Sequence, residues 1–389
     1  MIRSRHPAST IFTYMVYAVA LSCSGLFVSG QTILPGTTPL TVQGDLSEKM
    51  VAGIDQFLMR SIDESISKRE QYWNRDFSSP NAYEKSLAPN RERLHKILGV
   101  VENRLPVTSL EYVSDTSRSA KVADAELYSV FAVRWQVLEG VYGEGLLLQP
   151  KATPTAFVVA LPDADQTPEM LTGLAPGMAP KDQFARRLAE QGCLVVVPVL
   201  INRDDTWSGS ESVNVFTNQT HREWVYRQAF EMGRHVIGYE IQKVLGLIDW
   251  FSHTNSNEAV KIGVAGYAEG GLLALYCGAL DMRIDSTLVS GYFNKRERIW
   301  EEPIYRNVMG LLLEFGDAEL AAMIAPRTLV VEHSKAPTID GPPAARQGRK
   351  SGAAPGIIRT PELNQVEFEF RRGRALVNGT LGTNMSLVY

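Results

Sequence analysis

The sequence predicts an α/β protein with a doubly wound, mostly parallel sheet, and two observations carry that prediction. Short, almost wholly apolar segments recur between residues 155 and 333, as expected of strands buried on both faces: TAFVVALP, CLVVVPVL, KIGVAG, STLVSG and RTLVVEH. Segments of helical periodicity separate several of them, notably KDQFARRLAEQG and RHVIGYEIQKVLGLIDWF. Strands that alternate with helices favour a parallel sheet covered by helices on both sides.

The composition is that of an ordinary globular protein, with 389 residues, 44% of them hydrophobic and 21% charged. The formal net charge is −4 and the chain has no basic run, so nucleic-acid binding has no electrostatic support. No spacing such as H-E-x-x-H indicates a metal site. We therefore expect neither a metal nor a cofactor.

The first thirty residues have the pattern of a signal peptide. Arg3 and Arg5 precede the uncharged apolar stretch IFTYMVYAVALSCSGLFVSG, and small residues follow near Gly30. The sequence thus predicts an exported protein, periplasmic or secreted, with no stable membrane span after cleavage. The alternatives are an uncleaved membrane anchor and lipidation at Cys23. The two later cysteines, Cys193 and Cys277, lie in apolar segments and are expected as buried thiols.

Residues 31–105 are predicted to form a leader and a helical extension. The stretch 31–44 is rich in Gly, Pro and Thr, and helical spacing begins at Asp45. The apolar positions at three- and four-residue spacing are Met50, Ile54, Phe57, Leu58, Ile62 and Ile66. A second short helix is expected around NRERLHKILGV.

The sheet-forming domain is predicted over residues 106–336, and it opens with two paired strands in LYSVFAVRWQV and VYGEGLLLQP. The remaining residues, 337–389, are predicted as a Pro/Gly-rich linker and a C-terminal segment. There ELNQVEFEFRRGRAL forms one more element. We expect no further strand after it, so the C-terminal end of the domain is predicted to be incomplete.

The segment KIGVAGYAEGGLLALY, residues 261–276, predicts a strand, a tight turn and a helix. Gly266 and Gly270 occupy the glycine positions of the G-x-S-x-G nucleophile elbow, but Ala268 stands where the serine would be. The turn therefore has the sequence pattern of a catalytic elbow without its reactive hydroxyl. A plain structural corner is compatible with the same pattern.

The same residues also allow a dinucleotide-binding turn, G-x-G-x-x-G, formed by Gly266, Ala268 and Gly271 with its middle glycine replaced. That motif needs an acidic side chain at the end of the next strand. Here Asp281 and Asp285 precede the strand STLVSG, so the acids lie at the wrong end. The elbow is the favoured interpretation.

Residues 110–334 resemble the α/β-hydrolase superfamily, and within it the exported bacterial esterase-like proteins of the dienelactone hydrolase and acetylxylan esterase type. The elbow carries part of this resemblance. The other segments are VALPDADQTPE, REWVYRQAFEMGRHVIGYEIQKVLGLIDW and SGYFNKRERIWEEPIYRNVMGLLLEFGDAELAAMIAPRTLVVEH. The resemblance implies a serine esterase by descent.

The resemblance also implies where an oxyanion hole would lie. The backbone N–H of Glu269 matches one donor of the superfamily, and the loop LPDADQTP, which lacks a His-Gly-Gly pattern, stands where the second donor usually lies. In that loop Asp163 and Asp165 would oppose the negative charge of a transition state. We expect them to be solvated turn acids or a helix cap.

For the orienting acid the resemblance implies Glu332, with Asp340 as a second candidate. The catalytic histidine should come later in the chain, but no histidine follows His333. Since adjacent strand residues point to opposite faces, Glu332 and His333 are awkward partners in one triad. His333 is a weak candidate base and is expected as a hydrogen-bonded histidine at a strand end.

The loop NRDDTWSGSE, residues 202–211, follows a strand at the edge where α/β sheets bind ligands. Arg203 could bind a carboxylate or phosphate and Trp207 could stack on a sugar ring, with Asp204 and Asp205 beside them. An internal Arg–Asp pair and a packed tryptophan are equally compatible with this loop.

The sequence thus predicts an exported, esterase-like protein that is catalytically inactive and binds a carbohydrate or acyl ligand. The alternative is an active carboxylic-ester hydrolase, either completed by a missing segment or using Glu332, His333 or the Asp204/Asp205 loop on a water molecule. The other histidines near the long helix, His221, His235 and His253, suggest no site. Two glycosylation sequons begin at Asn218 and Asn378.

Overall fold

The computed structural model describes residues 35–38, 41–212, 214–255, 260–377 and 381–389. The chain divides into two compact units, Met1–Leu58 and Met59–Tyr389. Helix α1, Leu46–Lys68, begins in the first unit and ends in the second. The predicted signal peptide, Cys23 and the sequon asparagine Asn378 lie outside the described residues.

The helices of the second unit include the short helix predicted before residue 100 and both predicted helices between the strands. Short 3₁₀ turns occur as well, among them Ile304–Arg306. The α-helices that follow α1 are α2 (Pro80–Ser86), α3 (Ala88–Ile97), α4 (Pro168–Thr172), α5 (Phe184–Glu190), α6 (His221–Glu231), α7 (Val236–Thr254), α8 (Glu269–Leu280), α9 (Leu311–Glu314), α10 (Asp317–Ile324) and α11 (Leu363–Ala375).

One large mixed sheet and two small hairpins contain the strands. In chain order the strands are β1 (Glu111–Tyr112), β2 (Lys121–Asp124), β3 (Tyr128–Leu138), β4 (Val141–Pro150), β5 (Ala156–Leu161), β6 (Leu194–Pro198), β7 (Gly209–Ser210), β8 (Val215–Phe216), β9 (Lys261–Tyr267), β10 (Ser286–Ser290), β11 (Thr328–Glu332), β12 (Ile339–Asp340), β13 (Ile357–Ile358) and β14 (Met385–Val388). The order in the large sheet is β1-β3-β4-β6-β5-β9-β10-β11-β14, with β2 beside β3.

The strand directions confirm the predicted α/β architecture. In the large sheet, strands β1 to β4 pair in antiparallel fashion and β4 meets β6 antiparallel, whereas the pairings along β6-β5-β9-β10-β11-β14 are all parallel. The two small hairpins, β7–β8 and β12–β13, are antiparallel. Both faces of the centre are covered, because alternate residues of one strand enter different cores. In β5, Val159 belongs to the larger hydrophobic cluster and Val158 to the smaller one, and in β6 Val196 and Val195 divide in the same way.

Strand β14 corrects the prediction that no strand follows residue 376. Met385–Val388 pairs in parallel with β11, with Leu329 opposite Met385. The segment was missed because it has only four residues, contains the polar Ser386 and lies at the sheet edge, where Met385 alone is fully buried. The C-terminal residues therefore extend the sheet.

The parallel strands bring their carboxyl ends to one edge of the sheet. The loops that follow β5 and β6, the turn at Ala268 after β9, and the residues after β10 and β11 all gather there. Cys193 and Cys277 are free and buried, as predicted. No helix within the described ranges has the length and apolar character needed to cross a membrane.

Candidate functional site

Ala268 forms the apex of the turn between β9 and α8. Its backbone dihedrals are φ 51° and ψ −108°, a strained combination for a residue with a Cβ atom. A sharp strand-to-helix turn with a strained apical residue is the geometry of a nucleophile elbow. The side chain at the apex is a methyl group that is only 2% exposed. The turn therefore has the shape of an elbow but no atom that can attack a carbonyl carbon.

The two elbow glycines are required by close backbone approach. A Cβ atom on Gly266 would lie 2.0 Å from the carbonyl oxygen of Gly270, and one on Gly270 would lie 2.2 Å from the carbonyl oxygen of Leu161. Neither position can accept a side chain without displacing backbone. The pattern that predicted the elbow from sequence thus has a steric cause.

Glu269, directly after the apex, has a fully buried side chain surrounded by guanidinium groups. Its Oε2 lies 3.0 Å from Nη2 of Arg203 and 2.7 Å from Nη2 of Arg306, and its Oε1 lies 3.2 Å from Nη2 of Arg222. Burial alone would raise the pKa of Glu269, but the charges of Arg306, Arg222 and Arg203 outweigh burial and hold the pKa well below its usual range. Glu269 is therefore a charged structural group at neutral pH.

Arg203 uses all five of its N–H donors inside the protein. Its Nε donates to the Tyr305 hydroxyl at 2.9 Å, and Nη1 donates to Asp163 and Asp165 at 2.7 and 2.9 Å. Nη2 donates to Asp163 and Glu269 at 3.0 Å each. A guanidinium has five N–H groups in total. Arg203 consequently has no donor left for an anionic ligand, which corrects the ligand-binding role that we considered for it.

The network extends to residues that the sequence did not indicate. Arg222 donates to both carboxylate oxygens of Glu240, at 2.7 and 2.9 Å, and Arg306 donates to Glu302 at 2.8 Å. The guanidinium of Arg222 also lies 5.1 Å from the ring centroid of Tyr305, in cation–π contact. The buried charges thus lie in one hydrogen-bonded cluster beneath the elbow.

Asp163 is part of this cluster and is only 2% exposed. Its Oδ1 accepts a hydrogen bond of 3.2 Å from the backbone N–H of Glu269. Burial would raise the pKa of Asp163, but hydrogen bonds and charge from Arg203 lower it overall. The expectation of a solvated turn acid is therefore wrong for Asp163, since its counter-charge comes from a different loop, whereas the side chain of Asp165 is about half exposed.

The expected acid and base do not form a pair. Glu332, at the end of β11, accepts a hydrogen bond from the Ser290 hydroxyl, which also lies 2.8 Å from the Ser334 hydroxyl. His333 points elsewhere, with Nε2 donating to the carbonyl of Pro361 at 2.9 Å. His333 is thus the hydrogen-bonded histidine at a strand end that we expected. The second acid candidate, Asp340, is exposed and pairs with Arg359.

The side chains of the loop that begins at residue 202 differ in their exposure to solvent. Trp207 is 79% exposed, so a packed tryptophan is excluded and its ring is free to contact a ligand. Asp204 is half exposed and Asp205 is buried, and Nη2 of Arg346 pairs with Asp205 and lies 3.7 Å from Asp204. Both carboxylates therefore face an arginine of the C-terminal segment.

Residues 343–354 form a strap across this loop, although the sequence predicted a linker there. Arg349 donates to the carbonyls of Asp205, Thr206 and Thr217, and the Asn218 side chain bonds the strap at both of its polar atoms. Asn218 is 4% exposed. Its amide nitrogen is already a hydrogen-bond donor, so this sequon has a structural role in the folded chain.

Comparisons with known proteins agree with this geometry. Residues 144–305 match the model of the dienelactone hydrolase family. A solved protein assigned as an acetyl xylan esterase from Bacteroides fragilis is 16% identical, with 90% of this chain and 84% of that chain covered and a TM-score of 0.58. The protein has the α/β-hydrolase fold.

Other solved α/β-hydrolase relatives are more distant. A glucuronoyl esterase from Solibacter usitatus is 13% identical, with 77% of this chain and 81% of that chain covered and a TM-score of 0.47. No curated protein sequence matches the chain significantly. The chain is thus similar to esterase-type hydrolases and carries their fold.

The α/β-hydrolase fold removes the dinucleotide alternative for the turn at Ala268. The carboxylate of Asp285 accepts from the backbone N–H of Ile262 at 2.9 Å, and Lys261 pairs with it, so it lies at the amino end of β9. A ribose-binding acid would lie at the carboxyl end. The elbow interpretation is the one that the fold supports.

A cleft of about 300 Å³ lies next to Arg203, in the loops that follow the carboxyl ends of the parallel strands. Its lining includes Asp165, Glu223 and Tyr305 from one side and residues 338–343 of the C-terminal region from the other. Since Arg203 has no free donor, the polar side chains of the lining offer chiefly carboxylate oxygens and hydroxyl groups, beside apolar residues such as Ile339 and Pro343. Such a cleft suits an uncharged ligand rich in hydrogen-bond donors.

His221 and His235 have structural hydrogen-bond partners, as His333 does. His235 caps α7 through Nδ1, which accepts from the N–H of Ile237, and His221 accepts from the N–H of Trp207 at 2.8 Å. Across the described ranges, no three His, Cys, Asp or Glu side chains come together as a metal site.

Proposed function

We propose that this protein is a non-catalytic member of the esterase-type α/β hydrolases, which binds a ligand without acyl transfer. The observation that carries the proposal is the methyl group of Ala268 at the apex of an otherwise intact elbow. Loss of a triad residue lowers turnover by about a millionfold. In the described residues the side chains of Glu332 and His333 have different hydrogen-bond partners, so they do not act as an acid–base pair, which adds to this loss.

Turnover of acetyl esters tests the proposal. We expect 4-nitrophenyl acetate and acetylated xylan to be hydrolysed about a millionfold more slowly than the roughly 10 per second that is typical of enzymes. The alternative is a water-based hydrolase that uses Glu332, His333 or the Asp204/Asp205 loop. Substantial turnover that is abolished by Glu332→Gln would establish that alternative and would refute the proposal.

The ligand that we propose is a neutral carbohydrate in the cleft beside Arg203. Carboxylates with spare lone pairs in the cleft lining, such as Asp165 and Asp340, can accept hydrogen bonds from sugar hydroxyls. Trp207 does not line the cleft, but its exposed ring lies in the same loop as Arg203 and is available for stacking. Calorimetry with xylo-oligosaccharides tests this, with Asp340→Ala as the cleft variant and Glu301→Ala as an outlying control. Equal binding by both variants would place the ligand elsewhere.

Export is proposed on the sequence pattern of residues 1–30. Expression of the full chain in a bacterial host, followed by fractionation and N-terminal sequencing, distinguishes the outcomes. A new N-terminus near Gln31 in the periplasm or medium is expected. An intact N-terminus in the membrane fraction would indicate an anchor, and a lipid on Cys23 would indicate a lipoprotein.

A further inference from the structure

The first N–H of helix α8 is bonded to a carboxylate from another loop. Ala268, the N-cap residue, has no side-chain acceptor for the helix. Instead Oδ1 of Asp163 accepts from the N–H of Glu269 at 3.2 Å, across 106 residues of sequence. A helix N-terminus favours negative charge, so this contact is electrostatically favourable.

Four donors converge on the Asp163 carboxylate. Besides the Glu269 N–H, Nη2 of Arg203 donates to Oδ1 at 3.0 Å, Nη1 donates to Oδ2 at 2.7 Å, and the N–H of Asp165 donates to Oδ2 at 3.2 Å. Two parallel Arg–carboxylate bonds of this kind are the strong bidentate arrangement. The surroundings of Asp163 thus form a preformed carboxylate-binding site that is buried from solvent.

One of the four groups that donate to Asp163, the N–H of Glu269, is also the group that would stabilise the negative oxygen of an acyl-transfer intermediate. The N–H that follows the elbow apex is one oxyanion donor of the α/β-hydrolase fold, and the loop after β5 supplies the other. In that loop Pro162 has no N–H, and the N–H of Asp163 is bonded to the side chain of Gln166 at 3.0 Å. The N–H groups of Glu269 and Asp163 are therefore both engaged within the chain.

We propose that Asp163 is an internal ligand that fills a latent carboxylate site at the elbow, so that its side chain occupies the place of an acetate-like group. Beyond Cβ this side chain is a carboxylate, and with Cβ it has the heavy atoms of acetate. A fixed negative charge there opposes the charge that develops on an acyl oxygen. The site is thus closed to ester chemistry independently of the missing serine.

Chemical rescue tests the proposal with Asp163→Ala. This variant removes the acceptor that Arg203 and the Glu269 N–H share, while Arg203 keeps Tyr305, Asp165 and Glu269. Because alanine retains Cβ, the vacated space has the size of formate, and we expect a lower Tm that sodium formate restores in part. The expected rescue is a saturable rise of about 2 °C or more up to 0.5 M formate, measured against sodium chloride of equal ionic strength. Pivalate, which is too bulky for the vacated space, should give no such rise.

Asp165→Ala is the matched control, because Asp165 also pairs with Arg203 but makes no contact with the Glu269 N–H. Formate should raise the Tm of the wild type and of this control no more than chloride does. Equal formate responses in all three proteins, or no response of Asp163→Ala beyond that to chloride, would overturn the proposal. If Asp163→Ala does not fold in buffer, it is refolded from urea with sodium formate or with sodium chloride, and equal yields of folded protein in the two salts would overturn it as well.

This test is separate from the proposed lack of catalysis. A negative rescue experiment would leave the absence of a nucleophile at residue 268 unchanged. Conversely, ester turnover by the wild type would refute the proposed function without altering the rescue result.

Discussion

Arg306 and Glu269 form a buried ion pair directly behind the elbow, with Nη2 and Nε of the arginine 2.7 and 3.0 Å from the same carboxylate oxygen. Because Arg203 and Arg222 bond the same carboxylate, Glu269 is the negative charge that three guanidiniums share. We predict that Glu269→Gln lowers the free energy of unfolding by about 3–5 kcal/mol, since it removes the shared negative partner of three buried ion pairs. Urea unfolding monitored by tryptophan fluorescence measures this loss.

Glu64→Gln serves as the control for that measurement, because Glu64 and Lys68 form an exposed i,i+4 pair. Its effect should be much smaller, because an exposed ion pair contributes little to stability. Similar small effects at both positions would show that the buried network contributes little to the stability of the fold.

The strained backbone at Ala268 predicts that a substitution by glycine, which usually destabilises a protein, does not do so here. Ala→Gly in an ordinary strand costs about 1 kcal/mol, as we expect for Ala265→Gly in β9. At Ala268 the glycine relieves a backbone conformation that costs on the order of 1–3 kcal/mol, so Ala268→Gly should be neutral or stabilising by about 1 kcal/mol. Thermal unfolding of the two variants compares them, and equal losses would argue against a strained apex.

The burial of His235 predicts that the protein loses stability in acid. Burial lowers its pKa to about 4, against a usual value of 6.5. Between these two values the unfolded chain binds a proton that the folded chain excludes, so the stability contribution is complete above pH 6.5 and declines as the pH falls toward 4. The loss at pH 5 should be about 2 kcal/mol relative to pH 7.5.

His235→Asn isolates this effect, because asparagine can still cap α7 and does not titrate. The difference in stability between wild type and variant should shrink by about 2 kcal/mol from pH 7.5 to pH 5. A difference that is constant over this range would show that His235 is already protonated in the folded protein, or exposed to solvent.

The contacts of the strap predict that the loss of the Arg349 side chain increases local opening of residues 343–354. Arg349→Ala removes three hydrogen bonds to the carbonyls of the facing loop, so residues 343–354 should detach more often than the sheet unfolds. Hydrogen exchange at the amides of Gly352, Ala353 and Ala354 should become at least about tenfold faster, with no change in β9 or β10. Arg298→Ala, at an exposed surface pair, should leave these amides unchanged, and unaltered exchange in Arg349→Ala would contradict the strap.

The sheet and the elbow could be predicted from the sequence for local reasons. Strands such as β6 and β9 are short, strongly apolar runs, and that signal does not depend on distant residues. The spacing of Gly266 and Gly270 similarly reflects contacts within one turn and its nearest neighbour strand. Strand β14 was missed because four edge residues carry too little periodicity.

The ion network could not be predicted, because its partners are distant in sequence. Arg203, Arg222 and Arg306 stand 66, 47 and 37 residues from Glu269. An isolated Asp or Arg in a loop has the pattern of a solvated residue until the fold brings opposite charges together. The burial of Asp163 and the saturation of Arg203 are therefore properties of the tertiary structure.

The central claim is that the elbow lacks a nucleophile, and active-site labelling tests it most directly. Wild-type protein and Ala268→Ser are incubated with a fluorophosphonate probe and the modified residues are mapped by mass spectrometry. We predict no labelling of the wild type, and none of Ala268→Ser unless a histidine is also supplied near Glu332, since the serine would have no base. Stoichiometric labelling of the wild type at any serine, or robust labelling of Ala268→Ser alone, would contradict the account.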